Sequence, residues 1–159
     1  MIQIRKTHNA DSRTASGIVS KKEVLQSSMQ HIRDVQKAMR WMGNKLMDIG
    51  NSHDYTKITE IDSFYESFHR DQLRSEEVPT TFREEPWYKL HVATERHHLS
   101  DHVPDDVNLF DVLERIGDIV MASKGRGGEL YSATLDPEIL KRAYENTVRL
   151  LQKNVEVIE

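Results

Sequence analysis

The sequence predicts an all-α chain, a helical bundle of about five main helices. Three observations predict it. Apolar residues recur in steps of three and four over long stretches. Ser, Asp and Pro stand where helices should begin. Strand-like alternation is weak throughout. At 159 residues the length suits one domain that buries a core of its own, and no internal repeat or low-complexity tract divides it.

Residues 1–19 read as an N-terminal arm, and the helical domain covers 20–159. Met1-Ile2-Gln3-Ile4 could add a short strand, whereas Asn9 to Gly17 is polar and turn-prone. Ser20 and Glu23 have capping-box spacing, and Val19 with Val24 can form a hydrophobic staple. The first helix then carries Val24, Leu25, Met29, Ile32, Val35, Met39, Met42, Leu46 and Ile49 on its apolar side. Over 21–49 it would span about 43 Å, with Gly50-Asn51 as its stop. A second helix is expected over Lys57 to Leu73, with Ile58, Ile61, Phe64, Tyr65 and Phe68 apolar. Arg74 to Glu85 reads as a polar loop. Pro86 suits the first turn of a third helix, since its missing N–H is not needed there. That helix carries Trp87, Leu90, His91, Thr94 and His98. A fourth helix covers about Val107 to Ser123 and ends at Gly125-Arg126-Gly127-Gly128. Asp136-Pro137 opens the fifth, which runs to about Val155.

Composition excludes several classes. A net charge of −4 disfavours a strongly basic binder of duplex nucleic acid. With no cysteine there is no disulfide framework, no thiolate metal site and no cysteine nucleophile. No apolar run approaches the roughly 18 residues of a membrane span, and the N-terminus lacks a signal-peptide core. A soluble, cytoplasmic protein is expected. Neither a Gly-rich phosphate loop before a helix nor a Ser nucleophile elbow is present.

Histidine is the informative residue. There are eight, six of them between His53 and His102, and imidazole is both the commonest metal ligand and the usual acid–base group near pH 7. His31 lies on the first long helix, His53-Asp54 follows its stop, His91, His97 and His98 lie on the third, and Asp118 on the fourth. Side chains from several helices are what a site in a bundle core requires. His91 and His98, seven apart, project from one helical face, and His97 points roughly 100° away. His53 and Asp54 are adjacent, so they can share a metal only at a helix end or turn. Asp118 sits amid Ile116, Ile119 and Val120, where a buried carboxylate needs a partner. Glu114, four residues earlier on the same face, either supports the ligands or is solvated.

The ordered set His31, His53-Asp54 and Asp118 resembles the HD superfamily of metal-dependent phosphohydrolases, over about Ser20 to Lys124. Members with two metals carry two further histidines in the interval held here by His91 and His98 (or His97); spacing from His91 favours His98. The run His53-Asp54-Tyr55-Thr56-Lys57-Ile58 also looks like the His-Asp-x-Gly-Lys-Ile run of the cyclic-dinucleotide phosphodiesterase branch. It departs at Thr56 and lacks that branch's Gly-Tyr-Pro motif. In layout, the chain is similar to small uncharacterised phage-encoded members, which implies action in the cytoplasm of an infected bacterium.

The resemblance implies a phosphohydrolase acting on a nucleotide or related small phosphoester through metal-activated water. One or two divalent transition ions are expected, from Mn, Fe, Zn, Co or Ni, since imidazole and carboxylate suit borderline ions. The first would be held by His31, His53, Asp54 and Asp118. The second would be held by His91 and His98, with Asp54 bridging. Asp54 and Lys57 are the expected catalytic residues, and Lys57, His97, Lys124 and Arg126 the substrate-binding ones. Lys124 and Arg126 have a plainer reading as cations complementing a helix C-terminus. Tyr55 and Trp87 either flank a base or pack in the core. Two alternatives share the ligand set: an HD-fold di-iron oxygenase, and a non-catalytic phage-encoded binding module that keeps the metal fold. The methionine-bearing first helix admits a homodimer.

Overall fold

The capping box at Ser20 forms as its spacing predicts. Glu23 N donates to Ser20 Oγ (3.3 Å), and Ser20 N and Oγ donate to Glu23 Oε2 (2.8 and 2.6 Å). The helix that follows, α1, runs Lys21–Ser52. The computed structural model describes residues 1–6, 15, 17–73 and 82–159. The expected loop over Arg74 to Glu85 lies mostly outside them, as does most of the polar stretch from Asn9 to Gly17. Helix makes up 67% of the structure, and the fold is all-α.

Two compact units are present, Met1–Met47 with Val148–Glu159, and Asp48–Thr147. In the first, the strand β1 (Ile2–Arg5) pairs in parallel with β2 (Val155–Ile158), Ile2 opposite Val155 and Arg5 opposite Ile158. The start of the arm is therefore a strand. The fifth expected helix also stops short of Val155. It ends at Lys153, where Val155-Glu156-Val157-Ile158 takes up β-branched alternation instead. Gln30 Nε2 donates to Arg5 O (2.7 Å) and Lys37 Nζ to Gln3 O (2.8 Å), which fastens β1 alongside α1.

The second unit holds the remaining elements: α2 (Thr56–Thr59), α3 (Ile61–Leu73), a 3-10 turn at Phe82–Glu84, α4 (Pro86–Thr94), α5 (Leu109–Arg126) and the start of α6 (Pro137–Lys153). The expected helix over Lys57 to Leu73 is thus split at Glu60, whose backbone leaves the helical region (φ −111°, ψ 34°). The third expected helix is shorter than its periodicity predicts. Glu95 turns extended (φ −85°, ψ 107°), so His97 and His98 lie beyond α4, on a turn.

Leu99, Val107, Val112 and Ala143 form the buried core, with Val103, Leu109, Leu135 and Ile139 packed on it. Phe64 stacks on Trp87 (centroids 4.2 Å apart), and Trp87 stacks on His91 (4.8 Å). A buried carboxylate ties the turn after α4 to the start of α5. Asp111 accepts from Arg96 Nε and Nη2 (2.8 and 2.9 Å) and from the backbone N–H of Asn108 (2.9 Å). Asn108 in turn caps α5. At the far end of α5, Gly128 adopts φ +80°, and both its N–H and that of Gly127 return to Ser123 O. This left-handed closure is the reason for glycine there. Asp136 caps α6 through Glu138 N (2.9 Å). No helix among the described residues is long and apolar enough to cross a membrane.

Candidate metal centre

The centre begins where α1 stops. The helix runs through the Gly50-Asn51 signal to Ser52, whose Oγ donates back to the carbonyls of Asp48 and Ile49 (3.1 and 3.2 Å). His53 and Asp54 occupy the turn before α2. Asp54 has φ 54°, in the left-handed region that non-glycine residues seldom enter. This turn lets two neighbouring side chains converge, which a helix would forbid. Such a backbone costs of order 1–3 kcal/mol and persists only where its surroundings impose it.

Two groups of side chains meet here and share Asp54. His53, Asp54, His97 and Asp118 form one, and Asp54, His91 and His98 the other. Within each group, one ligand atom per residue lies within 4.8 Å of the rest. His53 Nε2 is 3.5 Å from Asp54 Oδ2 and 3.7 Å from Asp118 Oδ1. His97 Nε2 and His91 Nε2 are 3.6 and 3.4 Å from Asp54 Oδ1. These separations are long for hydrogen bonds. They suit atoms around an ion, since ligands about 2.0–2.2 Å from a metal stand roughly 3–3.5 Å apart.

The residues present fit a metal on a second count. Asp54 Oδ1 and His97 Nε2 are buried and have no hydrogen-bond partner among the described residues, an expensive arrangement for a carboxylate oxygen and an imidazole nitrogen. A divalent cation would satisfy both.

Outer carboxylates set the tautomers. His53 Nδ1–H and His97 Nδ1–H both donate to Glu114 Oε1 (3.0 and 3.1 Å), leaving each Nε2 lone pair directed to the centre. His91 Nδ1–H donates to Thr56 Oγ1 (2.6 Å), which donates to Glu95 Oε1 (2.7 Å). His91 Nε2 and His98 Nε2 stand 2.8 Å apart.

The titration directions follow. Burial pushes His98 down to about 4, helped by the neighbouring His97 and His91, so it is neutral and free to ligate near pH 7. Burial also lowers His91, against the pull of Asp54. Burial opposes charge on His97, yet the hydrogen bond and charge of Glu114 outweigh it and raise the pKa. Burial works against ionised Asp54 and Glu114 too. Lys57, hydrogen-bonded to Asp54, overrides it in the first case and His97 with His53 in the second, so both carboxyls are lowered.

A cavity of about 500 Å³ adjoins the second group. His91 and His98 line it together with Lys57 and Arg126, and an aromatic wall is supplied by Phe64, Phe68, Phe82, Trp87 and Tyr88.

A model of a protein family of unknown function, DUF5662, matches residues 20–158. The chain belongs to the DUF5662 family. No curated protein and no solved structure matches it.

In this DUF5662 chain the structure brings together His53, Asp54, His91, His98 and Asp118, as the sequence led us to expect. His31 is exposed on α1, in the other compact unit, and belongs to neither group. His97, expected on a helix flank as a substrate contact, is 1% exposed and sits among the first group's ligand atoms. The end of α4 at Thr94 is what turns it inward. Arg126 reaches the cavity, but Lys124 does not line it. The Lys124 ammonium donates to Gly128 O (3.0 Å), the helix-end role that its position also allowed. Tyr55 is exposed and lies outside the cavity lining, whereas Trp87 lines it. Thr56 and Glu95 had no sequence signal beyond Thr56's departure from the His-Asp-x-Gly-Lys-Ile run. In the DUF5662 structure that threonine holds His91 in place.

Glu114 supports two ligand histidines with one oxygen. The Glu114→Gln variant should therefore bind divalent metal roughly 10-fold more weakly, and Glu114→Ala up to about 100-fold. Competition with a chelator of known affinity measures both. Unchanged affinity in Glu114→Ala would show that the two imidazoles need no outer partner.

Proposed function

We propose that the protein is a metal-dependent phosphohydrolase acting on a nucleotide or related small phosphoester. One observation carries the reading. Two ligand groups share Asp54, and the second adjoins a cavity lined by Lys57, Arg126, Asp71 and an aromatic wall. The resemblance of the His53-Asp54 doublet and Asp118 to the HD superfamily supports it.

His53, Asp54, His97 and Asp118 would hold one ion, and Asp54, His91 and His98 a second. Ions held by these residues would supply Lewis-acid chemistry for hydrolysis of a phosphoester near neutral pH. Arg126 offers a planar fork that matches phosphate oxygens, and Lys57 a point charge beside Asp54. The aromatic wall provides faces against which a base or other flat group stacks. Asp54 holds its charge at neutral pH because of Lys57, and so stays available to both groups.

The test is elemental analysis of protein purified without chelator, followed by a phosphate-release screen across nucleotides and simple phosphoesters. About two divalent ions per chain and metal-dependent phosphate release are expected. Arg126→Ala should then raise KM at least about tenfold with a smaller change in kcat, the pattern of a lost binding contact. Iron with oxygen uptake and no phosphate release would instead establish the oxygenase chemistry. Bound metal with neither activity would leave a binding module.

A further inference from the structure

The cavity beside the second ligand group has two unlike ends. At one, His91 and His98 meet Lys57, whose ammonium is hydrogen-bonded to Asp54. The course of α3 defines the other. Phe64 stacks on Trp87, Arg70 pairs with Glu85 (3.0 Å) and Phe68 meets Phe82 edge-on, so α3 runs antiparallel to α4 and away from His91. Phe64, Phe68 and Asp71 recur at i, i+4 and i+7, share one helical face, and all line the cavity. Phe64 is joined to His91 through Trp87. Asp71 stands two turns farther along, about 10 Å beyond Phe64. It is the one carboxylate among the described residues that line the cavity.

The rings between these ends do not form a flat wall. Around Phe82, Phe68 stands at 84°, Tyr88 at 66°, Phe64 at 57° and Trp87 at 39°, with centroids 5.6–6.4 Å from it. Rings so tilted offer faces and edges on several sides of a compact group, not two parallel planes for a flat one. The near-parallel stacks are already closed. Phe64 on Trp87 and Trp87 on His91 have centroids 4.2 and 4.8 Å apart, whereas a base held between two rings needs them about 7 Å apart. A compact cation asks for less. It is attracted to any ring face within about 6 Å, and a carboxylate beyond the rings adds attraction of the same sign.

We propose that the Asp71 end of the cavity is a subsite for an organic ammonium group, and that the substrate is a phosphoester of a short amino alcohol. This deepens the phosphohydrolase reading and rests on it for the phosphoryl end alone. Charge complementarity carries the inference. A ligand that is anionic beside Lys57 and cationic beside Asp71 matches both ends, whereas the neutral base of a nucleotide brings no charge to the carboxylate. Hydrolysis joins the oxygen of water to phosphorus and breaks the ester P–O bond. The departing alcohol oxygen takes a proton from that water, and the ammonium group is unchanged.

Choline is the probe for the subsite. Its control is 3,3-dimethylbutan-1-ol, which has the same shape and no charge. Each is titrated into the full chain and followed by tryptophan fluorescence, since Trp87 lines the cavity. Choline should bind at least about tenfold more tightly than the alcohol. Asp71→Asn removes the charge, and Phe82→Leu keeps apolar bulk without the ring. Each should cut that preference to about threefold or less and leave the affinity for the alcohol unchanged. Phosphocholine should likewise exceed 3,3-dimethylbutyl phosphate at least about tenfold in kcat/KM, mostly through KM. Equal binding of choline and the alcohol overturns the proposal. So does an unaltered preference in Asp71→Asn, or phosphate release from a nucleotide that choline does not inhibit. Choline binding that Asp71→Asn weakens, with no phosphate released from any ester, would support the subsite and end the phosphohydrolase reading, so the two fail separately.

Discussion

The Asp54→Asn variant should purify with neither ligand group loaded and with phosphate release reduced roughly 10³-fold or more. Asp54 is the one residue common to both groups. Removing its charge withdraws an anionic ligand from each, whereas His98→Ala touches only the second. Loss of about one ion is therefore expected for His98→Ala, and loss of both for Asp54→Asn. Asparagine is the informative replacement because it tolerates the left-handed backbone that residue 54 requires. The metal-free fold should survive, with its helical circular dichroism intact. Elemental analysis of the two variants side by side checks the prediction. Equal metal content would mean that the groups do not share a ligand in solution.

The Asp111→Ala variant should unfold at a temperature about 6–12 °C lower, corresponding to a loss of about 3 kcal/mol. Asp111 is 2% exposed and accepts from both Arg96 and the backbone of Asn108. Its removal leaves Arg96 with only the exposed Asp106 and leaves the Asn108 N–H without its acceptor. Arg96 is 38% exposed on its side chain, which lets water recover part of the loss and keeps the figure at the lower end for a broken buried pair. The other carboxylate on Arg96 is a natural control. Asp106 is 80% exposed, and Asp106→Ala should cost under about 0.5 kcal/mol. Because Arg96 immediately precedes His97 and His98, Asp111→Ala should also weaken metal binding. Thermal melts in the presence and absence of chelator separate the two effects.

Most of the centre could be read from the sequence because its residues carry chemistry in recognisable order. His53-Asp54 stood at a helix stop, and Asp118 was an aspartate in an apolar run. His91 and His98 were seven apart. That last argument reached the right pair by a path the fold does not take. The helix ends at Thr94, and a turn rather than a shared helical face brings the two Nε2 atoms together. The same early end accounts for His97, since no periodicity describes a residue beyond the helix it was assigned to. Glu114 was placed by its spacing from Asp118, but its two partners come from chain positions 61 and 17 residues away. Pairings at such distances leave no local trace, and the Arg96–Asp111 bridge was invisible for the same reason. The β2 strand was lost because Val155 to Ile158 is too short to stand without the partner it finds at the other end of the chain.

That partnership has a bearing on the order in which the molecule can be completed. Gln3 and Glu156 meet across 153 positions of sequence, so β1 is made long before residues 155–158 and has no mate until they have been added. The unit from Asp48 to Thr147 is continuous in the chain and can close while synthesis proceeds. The opening strand, with Ile2 and Ile4, must wait throughout as an unpaired edge, the kind of segment that pairs with the wrong neighbour when chains are crowded. Slowing translation of the codons for residues 148–158 should therefore lengthen that wait and lower soluble yield, while leaving the ligand groups able to form.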